Sequence, residues 1–203
     1  MKKVLALAPH PDDIEIGCGG TLAEHVRRGD EVHVFVATCG EIGGEPEVRK
    51  QEQEASSNIL GIHQLYWGGF QDTRLPEVGQ PLMLALESMI QQVAPDVVYV
   101  NHKDDTHQDH RAMAQVALSV TRYVPNVLAY ETPSSVDFDP KLYMDIQDTL
   151  DIKLEALKAH ASQVDRTHVR LSIIDIALAT AHFRGVQGRL ASAEGFMPVR
   201  MRL

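Results

Sequence analysis

Two short stretches of this chain hold residues able to do chemistry together. The first is His10-Pro11-Asp12-Asp13, and the second is Asp104-Asp105-Thr106-His107-Gln108-Asp109-His110. Imidazole and carboxylate are the donors that divalent transition metals take, and three of them within four residues point to such an ion. Two imidazoles and one carboxylate leave a coordination position open, the pattern of a catalytic rather than a structural zinc. An ion of that kind acidifies water and polarises a carbonyl. A further carboxylate beside the water can take its proton as general base. A histidine on the opposite side can stabilise an oxyanion or protonate a leaving nitrogen, with a neighbouring Asp orienting it and holding it protonated. The clusters supply a candidate for each role, and spacing alone leaves open whether Asp12 or Asp13 binds the metal. The plainer alternative for the first stretch is a polar loop with an Asp helix cap.

These residues need elements to position them. An apolar run ending at Leu7 predicts a buried strand over Lys3–Ala8, with a helix near Cys18–Arg28. Alternation predicts a second strand over Glu31–Thr38. Pro46 opens a helix that Gly61 stops after Leu60. Further strands are expected at Gln64–Trp67, Val97–Val100, Val127–Tyr130 and Leu142–Ile146. Further helices are expected at about Pro81–Val93, Arg111–Tyr123, Leu150–Val164 and Ile173–Phe183, before a last extended piece, Glu194–Met201. The alternation implies an α/β fold: a Rossmann-like parallel sheet with helices on both faces, plus a smaller C-terminal α/β extension. In such sheets the second and third strands stack outward from the first and the fourth crosses to its other side. Ligands collect at that reversal, at the carboxyl ends of the strands. His10, Asp12 and Asp13 should therefore face His107, Asp109 and His110 across one crevice.

Other polar residues carry less. Gly17-Cys18-Gly19-Gly20-Thr21-Leu22 has leucine where the dinucleotide motif needs its third glycine, and the acidic loop before it would repel a pyrophosphate. Cys39 and Glu41 follow the second strand and are placed to line the pocket. His102 lies near the crevice, while Asp104 and Asp105 suit a sugar contact or a helix cap. His25, His33, His63, His160, His168 and His182 read as structural or solvent-exposed.

With 203 residues, 44% hydrophobic and 23% charged, the composition is that of a soluble globule. A chain this size buries about 70% of its unfolded surface and needs no staples. A net charge of -9 without a basic run argues against a nucleic-acid surface. No apolar run reaches the length of a membrane span. The apolar start is too short for a signal peptide. Cys18 and Cys39 form no C-x-x-C and read as free thiols in a reducing cytoplasm.

The chain resembles the LmbE-like/PIG-L family of metal-dependent N-acetylglucosaminyl deacetylases over nearly its whole length. The core matches are the HPDD stretch followed by E-x-G-x-G-G-T, and H-x-D-H at 107–110. Weaker matches are Gly40-Glu41, Arg49 with Glu52, Tyr130-Glu131, His160 with Ser162-Gln163, and Ala193-Glu194 with Phe196. The resemblance implies a single domain over 1–203 that holds zinc, or another divalent metal such as Fe2+, on His10, Asp13 and His110. It implies Asp12 as general base, His107 as electrostatic stabiliser or acid, Asp109 as its orienting partner, and Arg49 as a substrate-binding arginine, with Glu41 expected as a second substrate-binding residue. The alternative for Arg49 is a solvent-facing helix charge. The implied substrate is a small amino sugar, with no nucleic-acid or membrane partner, and relatives point to a homo-oligomer. One departure is Ser192, where members that make bacillithiol-type sugars are expected to carry tyrosine; it weakens transfer of any one substrate, though not of the reaction class. The competing readings are a metallohydrolase of another amide or ester bond, a phosphoesterase being disfavoured by the acidic site, and a non-catalytic nucleotide- or metal-binding module.

Overall fold

The computed structural model describes residues 1–167 and 170–202. His168, one of the histidines read as structural or exposed, lies outside the described residues. In chain order the elements are β1 (Lys3–Ala8), α1 (Asp13–Arg27), β2 (Glu31–Thr38), α2 (Pro46–Leu60), β3 (Gln64–Phe70), a 3-10 turn (Leu75–Glu77), α3 (Gly79–Val93), β4 (Val97–Asn101), α4 (Gln108–Val120), β5 (Asn126–Tyr130), β6 (Leu142–Asp145), α5 (Leu150–Ala159), α6 (Ile173–Gly188) and β7 (Ala193–Arg200). The strands form one sheet in the order β3-β2-β1-β4-β5-β7-β6. β1 to β5 are parallel, and β7 runs antiparallel to both β5 and β6. The expected C-terminal extension thus continues the main sheet, which is mixed rather than purely parallel.

Continuous apolar runs make the central strands because both faces are covered. On β1, Leu5 and Leu7 join a core with Val98, Val100, Leu82, Leu86 and Met113, on the side of α3 and α4. Val4, Ala6 and Ala8 face the other way, onto Ile14, Cys18 and Leu22 of α1. The order reverses between β1 and β4, which are direct neighbours, so their carboxyl ends carry His10 and the 101–110 loop side by side.

Two helix starts differ from the sequence expectation, and both matter for the site. α1 begins at Asp13 rather than near Cys18, so Gly17 joins Gly19 and Gly20 inside the helix. Glycine is a poor helix former, by about 1 kcal/mol relative to alanine, and the packing explains its use. A Cβ at Gly17 would stand 2.1 Å from Cδ2 of the Tyr130 ring. That ring is fully buried, and its hydroxyl donates to the Leu7 carbonyl at 2.9 Å. The same helix takes partners from outside itself. Glu194 accepts from the Gly20 and Thr21 amides (3.0 and 2.7 Å), while Lys153 donates to the Ile16 carbonyl at 2.8 Å and to Glu194 at 2.5 Å. α4 begins at Gln108, three residues before its expected start, which brings Asp109 and His110 into its first turn. α5 ends at Ala159, short of Val164.

Candidate active site

The turn from β1 into α1 presents His10, Asp12 and Asp13. Asp12 sits at φ 84°, in the left-handed region. That conformation costs a non-glycine residue roughly 1–2 kcal/mol and aims its carboxylate at α2. There Arg49 Nη2 donates to Asp12 Oδ2 at 3.2 Å and to the Pro11 carbonyl at 2.7 Å, and Gln53 Oε1 accepts from the Asp12 amide at 3.2 Å. Arg49 is therefore not a solvent-facing charge: it is 5% exposed and backs the turn from below. Gly40, at φ 66°, lets it approach, since a Cβ there would meet the guanidinium carbon at 2.8 Å.

Asp13 bridges the two clusters. One carboxylate oxygen lies 3.4 Å from His10 Nδ1 and the other 3.3 Å from His110 Nε2. The outer nitrogen of each imidazole rests on a different carboxylate. His10 Nε2 meets Asp72 at 3.0 Å and Asp109 at 3.2 Å, and His110 Nδ1 meets Asp105 at 3.1 Å. Carboxylates behind metal-ligating histidines fix the tautomer and turn the inner nitrogens toward the ion. Asp13, Asp72, Asp105 and Asp109 are all buried, and four carboxylates around two imidazoles call for positive charge. This donor set fits a divalent cation. Among the described residues, nitrogens of His10, His107 and His110 also lie within 4.8 Å of one another, as do donor atoms of His10, Asp72 and Asp109.

Electrostatics follow from the same contacts. Burial opposes charge on His10, yet its bonds to Asp109, Asp13 and Asp72 prevail and hold its pKa well above the ordinary value. Burial likewise opposes charge on His110, but Asp13 and Asp105 lift it to about 9. Asp13 is driven far below the usual carboxylate range by His110 and His10, against its burial. Asp12 moves the other way: burial raises it to about 6, with Arg49 pulling against the rise.

His107 caps α4. Its Nδ1 accepts the Asp109 amide at 3.2 Å, which leaves Nε2 to carry the hydrogen. Its ring stands edge-on to His10, with centroids 4.7 Å apart. Burial, then His10 and His110, lower its pKa, so it is neutral near pH 7. This departs from the expectation of a histidine held protonated by Asp109. The Asp109 carboxylate instead accepts from His10 Nε2 and from the Thr73 and Leu75 amides (2.7 and 3.3 Å), because the first turn of α4 points it under β1.

Glu41 also differs from expectation. Its carboxylate accepts the Asp72 amide at 2.8 Å, while Asp72 accepts the Ile42 amide at 3.0 Å. Glu41 thus clamps the Asp72 loop and does not line the cleft. The cleft, of about 280 Å³, is lined by His10, Asp12, Asp13, Ile42, Gly43, Arg49, Asp72, Thr73 and His107. His102 packs on Phe138, with its Nε2 3.6 Å from Asp104. Asp72 is the site residue that sequence reasoning missed, while Asp105, which suited a sugar contact or a helix cap, accepts the His107 amide and braces His110. Asp105 had a legible signal, five residues before His110, but its bonds to Thr132 and Ser135 (2.9 and 3.2 Å) come from the loop after β5.

The weaker motif matches have structural partners too. Ser162 bonds Glu52 of α2 through both its amide and its hydroxyl, each at 2.7 Å, and Gln163 donates to the Gly43 carbonyl at 3.2 Å. His160 is fully buried with Nε2 3.7 Å from Glu15. Glu131 receives two bonds from Arg184, each 2.6 Å.

Fold and site together define a hydrolase of Rossmann-like α/β architecture whose His/Asp cluster can hold a metal ion. The chain belongs to the PIG-L family: residues 5–121 match the family described as GlcNAc-PI de-N-acetylase. It is 37% identical over 169 residues to YaiS of Escherichia coli K12, an uncharacterized deacetylase, covering 79% of this chain and 91% of that one. Among solved structures it is similar to the conserved protein TT1542 of Thermus thermophilus, with TM-score 0.88 and 29% identity over 100% of this chain and 97% of the other. It is also similar to the N,N'-diacetylchitobiose deacetylase of Pyrococcus horikoshii, with TM-score 0.84 and 25% identity, covering 98% of this chain and 84% of that one. Among the described residues no helix is long and apolar enough to cross a membrane.

Proposed function

We propose that this protein is a zinc-dependent N-deacetylase that removes acetyl from an N-acetylglucosamine-type sugar or glycoconjugate, releasing acetate and a free amine. His10, Asp13 and His110 would hold the metal. Bound there, zinc supplies Lewis acidity to the amide carbonyl and lowers the pKa of water. Asp12 takes the proton from the attacking water; a carboxyl raised to about 6 by burial is a stronger base than an ordinary aspartate and still ionised at pH 7. Arg49 keeps Asp12 ionised and aimed, and its edge on the cleft is placed to meet substrate oxygens. His107 donates Nε2–H to the oxygen that gains charge, as a neutral imidazole, since its other nitrogen is engaged by the Asp109 amide. Asp12, protonated by the first step, then returns that proton to the leaving nitrogen as the C–N bond breaks. The neutral state of His107 favours Asp12 for this second transfer.

The observation that carries the reading is the Arg49–Asp12 pair lining one cleft with His10 and Asp13, with His110 in contact with Asp13. The diacetylchitobiose deacetylase likeness supports an amino-sugar substrate, and about 280 Å³ is at the small end of ligand pockets, suited to one sugar ring. One sheet running from β1 to β7 supports reading residues 1–203 as a single catalytic unit. The free thiols Cys18 and Cys39 support a cytoplasmic setting. The test is acetate release from a panel of N-acetylglucosamine derivatives by zinc-loaded and chelated protein, with Asp12→Asn beside wild type. Chelation should abolish release, and Asp12→Asn should lower kcat about 10²–10⁴-fold with zinc content unchanged. Release that survives chelation, or near-wild-type turnover of Asp12→Asn, would defeat the proposal.

A further inference from the structure

At the opposite edge of the sheet, where β2 and β3 begin, Glu31, His33 and His63 bring three donor atoms within 4.8 Å of one another. Glu31 and His33 are two apart on β2 and share a face. His63 directly precedes Gln64, the β3 residue in register with His33. One oxygen, Glu31 Oε1, lies 3.2 Å from His33 Nε2 and 3.3 Å from His63 Nε2.

Those two distances carry the argument. Charge-assisted hydrogen bonds from imidazole to carboxylate close to about 2.7–2.9 Å, so the His33–Glu31 hydrogen bond at 3.2 Å and the His63–Glu31 contact at 3.3 Å are both long ones. A tetrahedral zinc with ligands at about 2.0–2.1 Å sets adjacent donor atoms about 3.3 Å apart. Both contacts have that edge length, and they share the oxygen that would be the common ligand. His33 is further braced from behind: its Nδ1 lies 3.5 Å from the Tyr66 hydroxyl, which accepts from Gln92 Nε2 at 3.4 Å. A polar group behind the non-ligating nitrogen is how ligating histidines are oriented. The His63 side chain is 60% exposed, so an ion could enter and water could complete its shell.

We propose that Glu31, His33 and His63 form a second, peripheral transition-metal site of the two-His, one-carboxylate kind, with zinc as its ion. It is separate from the catalytic cluster, which stands at the carboxyl ends of the strands, whereas these residues stand at the amino ends. Its consequence is mechanical: β3 is an edge strand, and an ion held by residues of β2 and of the β3 entry clips that edge to the sheet. The histidines that read as structural in the sequence acquire a ligand role by this pairing of strands.

The test is zinc stoichiometry on untagged protein after dialysis against zinc, in wild type, Asp13→Asn, His63→Ala and the double variant. The expected contents are two, one, one and no zinc per chain. Cobalt(II) substitution gives an independent readout: a visible ligand-field band should persist in Asp13→Asn and vanish in the double variant. Zinc should also raise the melting temperature of Asp13→Asn but not of the double variant. His63 is exposed, so its removal spares the core; Glu31→Gln, which keeps shape and loses the anionic oxygen, should weaken the second site at least tenfold. The proposal is overturned if Asp13→Asn binds no zinc, if His63→Ala and Glu31→Gln leave stoichiometry and affinity unchanged, or if the cobalt band survives in the double variant. Loss of the Asp13-dependent ion alone would strike the proposed catalytic site and leave this one standing.

Discussion

Alanine at Gly17 and at Gly19 should have opposite effects, although the two glycines are only two positions apart in the same motif. Both lie inside α1, where replacing glycine by alanine gains about 1 kcal/mol of helix propensity. At Gly19 the new Cβ meets nothing closer than Lys153 Cγ at 3.5 Å, an ordinary contact. Gly19→Ala should therefore stabilise the protein by up to ~1 kcal/mol. At Gly17 the Cβ falls 2.1 Å from Tyr130 Cδ2 and 2.8 Å from two further ring atoms. The ring has no free path, being fully buried and tied through its hydroxyl to Leu7. Overpacking of this severity belongs at the upper end of the usual range, about 3 kcal/mol. Subtracting the propensity gain leaves about 2 kcal/mol of destabilisation. For a chain of this size that is roughly 4–8 °C in Tm, against a rise of about 2–4 °C for Gly19→Ala. Urea titration with linear extrapolation reads both free energies, and thermal unfolding gives the second measure. Gly17→Ala should also lower kcat, because α1 must shift away from Tyr130 and carries Asp13 in its first turn. If Gly17→Ala proves as stable as Gly19→Ala, the account of these glycines as packing devices between α1 and β5 is wrong.

Other expectations follow from particular contacts. Asp105→Asn should weaken retention of the catalytic metal about 10–100-fold, measured by chelator competition, because Asp105 holds His110 through Nδ1. Gln163→Ala should raise KM several-fold with kcat nearly intact, since Gln163 holds the Gly43 carbonyl at the wall of the cleft; equal loss in both parameters would place it in the chemistry instead. Burial, against the pull of Asp30, keeps His25 below its ordinary value of 6.5, so it stays neutral in the fold. The unfolded state then binds more protons below about pH 6.5, and stability falls as pH drops through that window. His25→Gln should flatten this part of the pH–stability curve in urea unfolding, and an unchanged slope would refute the sign.

How far the sequence reached can be judged element by element. β1, β2 and α2 were legible to the residue because local signals bound them: uninterrupted apolar strands at one end, Pro46 and Gly61 at the other. The doubly wound order was legible as well, since strand–helix alternation leaves few topologies and places β1 beside β4. Hence the sequence places His10, Asp12, Asp13, His107 and His110 at one crevice. The start of α1 was not legible because Gly17 opposes a helix locally; the contact with Tyr130, more than a hundred positions away, makes the absence of a side chain there an advantage. The partners behind the ligands were out of reach for a related reason. Asp72 comes from a loop after β3, two strands from β1, and Asp109 turned toward His10 rather than His107 because α4 starts one turn earlier than its apolar pattern implied. The chain by itself determined which donors exist and which strand ends must carry them, because those follow from residue type and hydrophobic period. Only the tertiary structure decided which carboxylate braces which imidazole, because a helical turn at 1.5 Å per residue rotates each successive side chain by about 100°, and a one-turn change in where a helix begins redirects every group at its head.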